Sequence, residues 1–151
     1  MRRTGFIAAF ICLSLMVVGQ QEENKKILGI WWNEEKTSRI EVFEENNKIY
    51  GKIVWLEDNT NPDGTAPRTD FENPDESKRN RKLIGQRILF GLEWDDDDNE
   101  WDDGEIYDPE NGNTYSCYAK LQKDGTFFLK GYVLGMPFLG RSTLWTRYNG
   151  K

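Results

Sequence analysis

The side chains of this sequence able to do chemistry are mostly carboxylates and arginines. Glu100, Glu105 and Asp108 stand close enough in sequence to offer a hydrolytic pair. A glycosidase needs two carboxyls about 5–10 Å apart across a cleft. On an extended strand Glu105 and Asp108 are separated by an odd step and point to opposite faces, which counts against them as a dyad. The 151 residues contain no histidine, so a Ser-His-Asp triad, a Cys-His pair and a histidine-ligated metal are all excluded. The run Asp95-Asp96-Asp97-Asp98 has the oxygen ligands of a Ca²⁺ site but lacks the spaced Asp-x-Asp-x-Asp-Gly pattern, and reads as a solvated, self-repelling loop. Neither a metal nor a cofactor is expected.

Binding chemistry has better candidates. Tyr107 and Asp108 run into the turn Pro109-Glu110-Asn111-Gly112, with Tyr115 just beyond it. Asp108 is held extended by the proline, and its carboxylate is placed to accept N–H groups across the turn. Either these residues are turn architecture, or Tyr107, Asp108 and Tyr115 form the polar contacts of a ligand at the edge of the fold. Arg79, Arg81 and Arg87 stand out in an acidic chain. Pairing with Asp70 or Asp75 would tie down the surrounding loop, and the minority reading has Arg81 holding an anionic ligand.

These residues lie on or beside strands. Runs rich in Ile, Val, Thr, Tyr, Phe and Trp occupy 28–32, 39–43, 49–56, 83–90, 104–107, 114–121, 127–133 and 142–148, separated by Asn/Asp/Gly turns. Eight strands in hairpin succession predict a single antiparallel up-and-down β-barrel, which leaves no exposed sheet edge. Two connectors depart from the pattern: a long Asn/Asp/Pro/Arg-rich segment at 57–81, and the aspartate run between Trp94 and Trp101. Period-two alternation puts Ile49, Gly51, Ile53 and Trp55 on one face, and Phe127, Leu129, Gly131 and Val133 on another. Such a face is either a filled core or the wall of a pocket, and the short chain favours a filled core. Trp55 is the aromatic residue expected to line a pocket.

The first 19 residues read differently. Arg2 and Arg3 precede an uncharged apolar stretch at 6–18, and Val17 and Gly19 supply small residues before a cleavage point at Gln20. This is the layout of a secretory signal, too short for a spanning helix. Export to the periplasm or beyond the cell is expected, with 20–151 as one domain and no stable membrane span afterwards. Cleavage deletes two arginines and no acid, taking the net charge from −6 to −8. So acidic a chain is a poor partner for nucleic acid. It also leaves Cys117 alone, a buried and inert small hydrophobe by its alternation with Tyr115, Ala119 and Leu121.

In a closed barrel the first and last strands are neighbours. Gly29 and Trp31 lie on the first, Trp145 and Arg147 on the last, so Arg147 is placed to cover the Trp31 indole, with Gly29 allowing close backbone approach. This arrangement resembles the barrel closure of lipocalins and related calycins. A more specific resemblance spans about 27–148. It is carried by Gly29-x-Trp31, Ser38-Arg39-Ile40-Glu41, the segment from Tyr50 to Trp55, Asp70-x-x-Asn73-Pro74-Asp75, and Arg79-x-Arg81-x-Leu83-Ile84-Gly85. Gly104-x-Ile106-Tyr107-Asp108-Pro109, Gly112, Tyr115, Gly131, Gly140-Arg141 and Trp145-Thr146-Arg147 complete the set. The chain resembles the exported bacterial family called domain of unknown function 2147. The resemblance implies a small calycin-like barrel and almost nothing about activity. Lys82, where a proline is expected, and the extended loop and aspartate run depart from the pattern at one rim. The expected role is non-catalytic binding of a small-molecule or lipid-like ligand. A carboxylate hydrolase, or a filled scaffold acting through its outer surface, is the alternative.

Overall fold

The computed structural model describes residues 25–150. The signal-like segment at 1–19 lies outside the described residues. Eight strands follow one another around a closed antiparallel barrel: β1 (Gly29–Trp32), β2 (Ser38–Glu45), β3 (Lys48–Leu56), β4 (Arg87–Asp95), β5 (Glu100–Asp108), β6 (Asn113–Leu121), β7 (Phe127–Val133) and β8 (Met136–Arg147). Each pairs with its sequence neighbours, and β8 returns to β1 through Trp31–Arg147 and Trp32–Thr146. Alternation of direction gathers the β1–β2, β3–β4, β5–β6 and β7–β8 connections at one end and the other turns at the opposite end.

Aromatic bulk closes that opposite end. Trp31 is fully buried and meets Phe127 in a tilted contact at 5.4 Å, and Phe127 in turn meets Trp145 edge-on at 5.3 Å. The Arg147 guanidinium lies 4.1 Å from the Trp31 ring centroid. Its nitrogens donate to the carbonyls of Leu28 and Lys26, while the Trp31 indole N–H donates to the Ile27 carbonyl. A Cβ at Gly29, whose φ is +129°, would stand 2.7 Å from Arg147 Nη1. The residue is glycine for both reasons: left-handed backbone and an arginine passing directly over it.

Three places depart from the sequence reading. β4 begins at Arg87, not at 83: Gly85 takes φ +95° and Leu83, though buried, belongs to the preceding loop. β8 begins six residues early, at Met136, despite Pro137. Proline is tolerated there because this part of β8 has no β1 partner to receive an N–H. Its register with β7 jumps from Tyr132–Gly140 to Val133–Met136, so Pro137, Phe138 and Leu139 bulge from the ladder. Leu134 and Phe138 are 81% and 76% exposed at this hairpin.

The third is the 57–86 connection, which is ordered rather than structureless. It carries a 3₁₀ turn at Glu76–Lys78, capped by Asp75, and a bridge between Thr69 and Lys82. Asp58, Asp63 and Asp75 each accept from a backbone N–H two residues on, repeating one turn motif. The connection folds back over the outer wall of β4–β6 beside the β5–β6 turn, where Arg68 pairs with Glu110.

Candidate functional site

The open end of the barrel leads into a cavity of about 730 Å³. Its deeper wall is apolar, formed by Ile40 from β2, Ile88 from β4, Ile106 from β5, Leu129 from β7 and Trp145 from β8. The rim is polar: the β1–β2 turn brings Asn33, Glu34 and Glu35, and the β5–β6 turn brings Asp108, Glu110 and Asn111. The expectation of a filled core therefore holds only for the closed half. The bulky residues concentrate there, whereas Gly131 and the short hydroxyl side chain of Thr143 leave space above them.

Period-two alternation back from Arg147 and Trp145 turns Thr143 and Arg141 inward on β8. Arg141 pairs in register with Gly131. Its side chain makes no hydrogen bond or ion pair with any other described residue. Sequence reading passed over it, although both signals were visible: the Gly140-Arg141 pair and the parity of the last strand.

The expected site residues divide. Asp108 and Tyr115 line the cavity, linked through Asn111, whose amide donates to Asp108 Oδ2 at 2.8 Å and approaches the Tyr115 hydroxyl at 3.4 Å. Asp108 Oδ1 accepts from the Glu110 N–H at 2.9 Å, so this carboxylate holds its own turn while forming part of the rim. Tyr107 contributes to the rim, but its hydroxyl points away, into the loop, and donates to Asp70 Oδ1 at 2.5 Å. Burial first, then that bond to Asp70, pushes its phenol well above the usual tyrosine range. Trp145 forms part of the cavity's apolar wall, and Gly29, Trp31 and Arg147 form the closed end below it.

Trp55 is not in the cavity. The ladder runs Arg39–Trp55 and then Ile40–Ile53, so Val54 is an extra residue in a β-bulge. One inserted residue reverses the parity of everything after it. Ile53 stays inside, and Trp55 turns to the outer surface, where it meets Trp32 edge-on at 5.3 Å. There Arg39 lies among three rings, 4.4 Å from Trp32, 4.6 Å from Trp55 and 4.1 Å from Tyr148. This aromatic clasp on the outside of β1–β3 depends on the bulge, for which the sequence carries no visible signal.

Arg81 is also elsewhere. Its side chain is exposed in a shallow groove on the outer wall, beside Lys78, Arg87 and Phe90. The acids expected to pair with it have other partners. Asp75 holds Lys78 at 3.0 Å, and Asp70 is fully buried among neutral donors, accepting from Asn73 Nδ2 at 2.7 Å and Gln86 Nε2 at 2.8 Å besides Tyr107. Only the Arg81 main chain touches Asp70, its carbonyl accepting from the Asp70 N–H. Arg87 forms a two-pronged pair with Glu45 at 2.8 and 3.0 Å.

The carboxylates considered for hydrolysis are held apart. Glu100 pairs with Lys120 toward the closed end, Glu105 is exposed on the outer face, and Asp108 sits at the rim. In the aspartate run, Asp96 accepts from the Trp94 indole and Asp95 from the Asp97 N–H. Among the described residues no group of three His, Cys, Asp or Glu side chains is placed to hold a metal ion. No described helix is long and apolar enough to cross a membrane.

An eight-stranded up-and-down barrel, plugged at one end by a Trp–Arg pair and hollow at the other, is a lipocalin-like fold. The chain belongs to the bacterial family described as "Uncharacterized protein conserved in bacteria (DUF2147)", whose model matches residues 29–147. Among solved structures it is similar to protein HP1028 from Helicobacter pylori, described as belonging to the lipocalin family. The identity is 23%, the match covers 82% of this chain and 84% of that one, and the TM-score is 0.68. No curated protein matches the chain.

Proposed function

We propose that this protein is an exported, non-catalytic barrel that binds one small ligand with an apolar body in the cavity at its open end. The observation that carries this reading is the cavity itself. At about 730 Å³ it falls within the range of about 300–1,000 Å³ that takes a small molecule, and it combines an apolar wall with a few convergent polar groups. The separation of Glu100, Glu105 and Asp108 supports binding over hydrolysis, since no two of them share a cleft. Export rests on the first 19 residues and on a single mature cysteine kept out of reach in the barrel wall.

Native mass spectrometry of freshly purified protein, recovered from the periplasm or medium of the expressing cell, tests both parts. The expected species begins at Gln20 and carries an additional small molecule that is lost on denaturation. A protein that retains residues 1–19 overturns export. A protein that stays empty, and takes up no apolar fluorophore that a cavity-filling Leu129→Trp variant excludes, overturns binding.

A further inference from the structure

We propose that the ligand is an amphiphile with an anionic head, and that Arg141 receives that head at the mouth of the cavity. The inference rests on the reading of the cavity as a ligand site and adds the class of ligand.

The charged groups around the cavity are unequal. Four acidic residues reach its lining; each accepts a hydrogen bond within the protein, and among them Glu110 alone has a cationic partner. Glu34 accepts from the Leu144 N–H, Glu35 from the Asn33 amide, Asp108 from the Glu110 N–H and the Asn111 amide, and Glu110 pairs with Arg68. Arg141 is the single cation among the described lining residues, and it has no partner among them. Its five N–H donors present a planar fork suited to a carboxylate or phosphate. Here that fork stands among the residues that line the cavity, with no protein group paired to it.

Its position gives the ligand an orientation. Arg141, Thr143 and Trp145 face inward in succession along β8, so the guanidinium stem starts roughly 13 Å from Trp145 at the strand's rise per residue. Gly131, opposite in β7, has no side chain to cover the approach. An alkyl chain laid against Ile40, Leu129 and Trp145 would emerge beside Arg141. A cationic head placed there would meet a like charge in the guanidinium. A neutral head would leave the guanidinium without a counter-ion.

The test is a calorimetric titration of the full chain with dodecanoate, dodecyl phosphate and dodecan-1-ol, which share a tail and differ in head. Wild type is expected to bind at least one of the two anions about tenfold more tightly than the alcohol, the gain of a charge-assisted hydrogen bond. The tighter anion identifies the head as carboxylate or phosphate. Arg141→Gln is expected to remove that advantage and leave alcohol binding unchanged, with Arg141→Lys retaining part of it. Because Arg141 is exposed and unpaired, both variants should melt with wild type. Equal anion binding by wild type and Arg141→Gln, or an alcohol that binds wild type as tightly as both anions, overturns the role of Arg141 while leaving the cavity as a ligand site. Failure of all three probes to bind wild type overturns the two readings together.

Discussion

Two buried residues show how differently a polar group can be accommodated in this barrel. Asp70 is fully enclosed, and three neutral donors from the loop and from β5 surround its carboxylate. Cys117 has no such company. Burial in the wall between β5 and β7, with the negative charges of Asp102 and Glu105 adding to it, pushes its thiol up to about 12. The consequence appears in alkali. Below about pH 8 the thiol is protonated in both the folded and unfolded chains and makes no difference to their balance. Between about 9 and 12 the unfolded chain releases the proton while the folded one keeps it, so stability falls as pH rises. The slope reaches at most about 1.4 kcal/mol per pH unit. Urea denaturation of wild type and Cys117→Ala between pH 7 and 10 is expected to show a steeper decline in wild type, beginning between pH 8 and 9, while the raised phenols of Tyr107 and Tyr132 act equally in both proteins. Parallel declines would show that the thiol does not titrate in this way.

Among the elements, the 57–86 connection depends on the β5–β6 turn for its seat. Gly112, at φ +72°, lies so close to the loop that a Cβ there would stand 2.0 Å from the Glu72 carbonyl oxygen. Gly112→Ala is therefore expected to lift the loop, at a cost of about 2–4 kcal/mol from left-handed strain and the lost seat together. Hydrogen exchange locates the effect: amides of Asp70, Asn73 and Leu83 should exchange faster, while those of β6 and β7 keep their protection. Uniform loss of protection would mean that loop and barrel unfold as one. That β7 runs over Phe127–Val133 was legible in the sequence, because its alternation is uninterrupted and its turns carry Asp and Gly. Elements with a local irregularity were not. The β8 start is hidden by Gly135, Pro137 and Gly140, all of which read as turn, and only the missing partner strand makes them acceptable there. Trp55 was misplaced for a related reason, since β-branched Val54 gives no sign that it is the bulged residue.

For the whole molecule, the fold class and the closed end were readable from the two ends of the chain, where Gly29, Trp31, Trp145 and Arg147 sit. Whether the barrel was hollow was not, because that depends on how volume is distributed along its axis. Sequential pairing also makes a prediction about connectivity. Residues 30 and 148 are joined by a backbone hydrogen bond, so the ends of the described domain meet. A circular permutant that links residue 148 to residue 25 by a short Gly-Ser bridge, with new termini in the aspartate turn at 96–99, is expected to fold to the same barrel. Far-UV circular dichroism and thermal melting should show a loss of only about 1–2 kcal/mol, the scale of relocating one short loop. Failure to fold would mean that the β4–β5 hairpin is needed for assembly and not only for the finished structure.

The seam between the first and last strands has a mechanical meaning. β1 is four residues long and β8 is twelve, so the ladder joins them only near the plugged end. Above it, among the described residues, the seam is bridged by the Leu144 N–H on Glu34 and by Lys36 on the Thr146 hydroxyl. The lower half is a continuous hoop, stiff because every displacement stretches a ring of hydrogen bonds. The upper half is a cylinder with a slot cut down one side. Such a wall yields radially by spreading the slot, without breaking any rung of the β-ladder. The vessel thus has a rigid base and a compliant lip, and the bore at the lip is set by whatever lies within it.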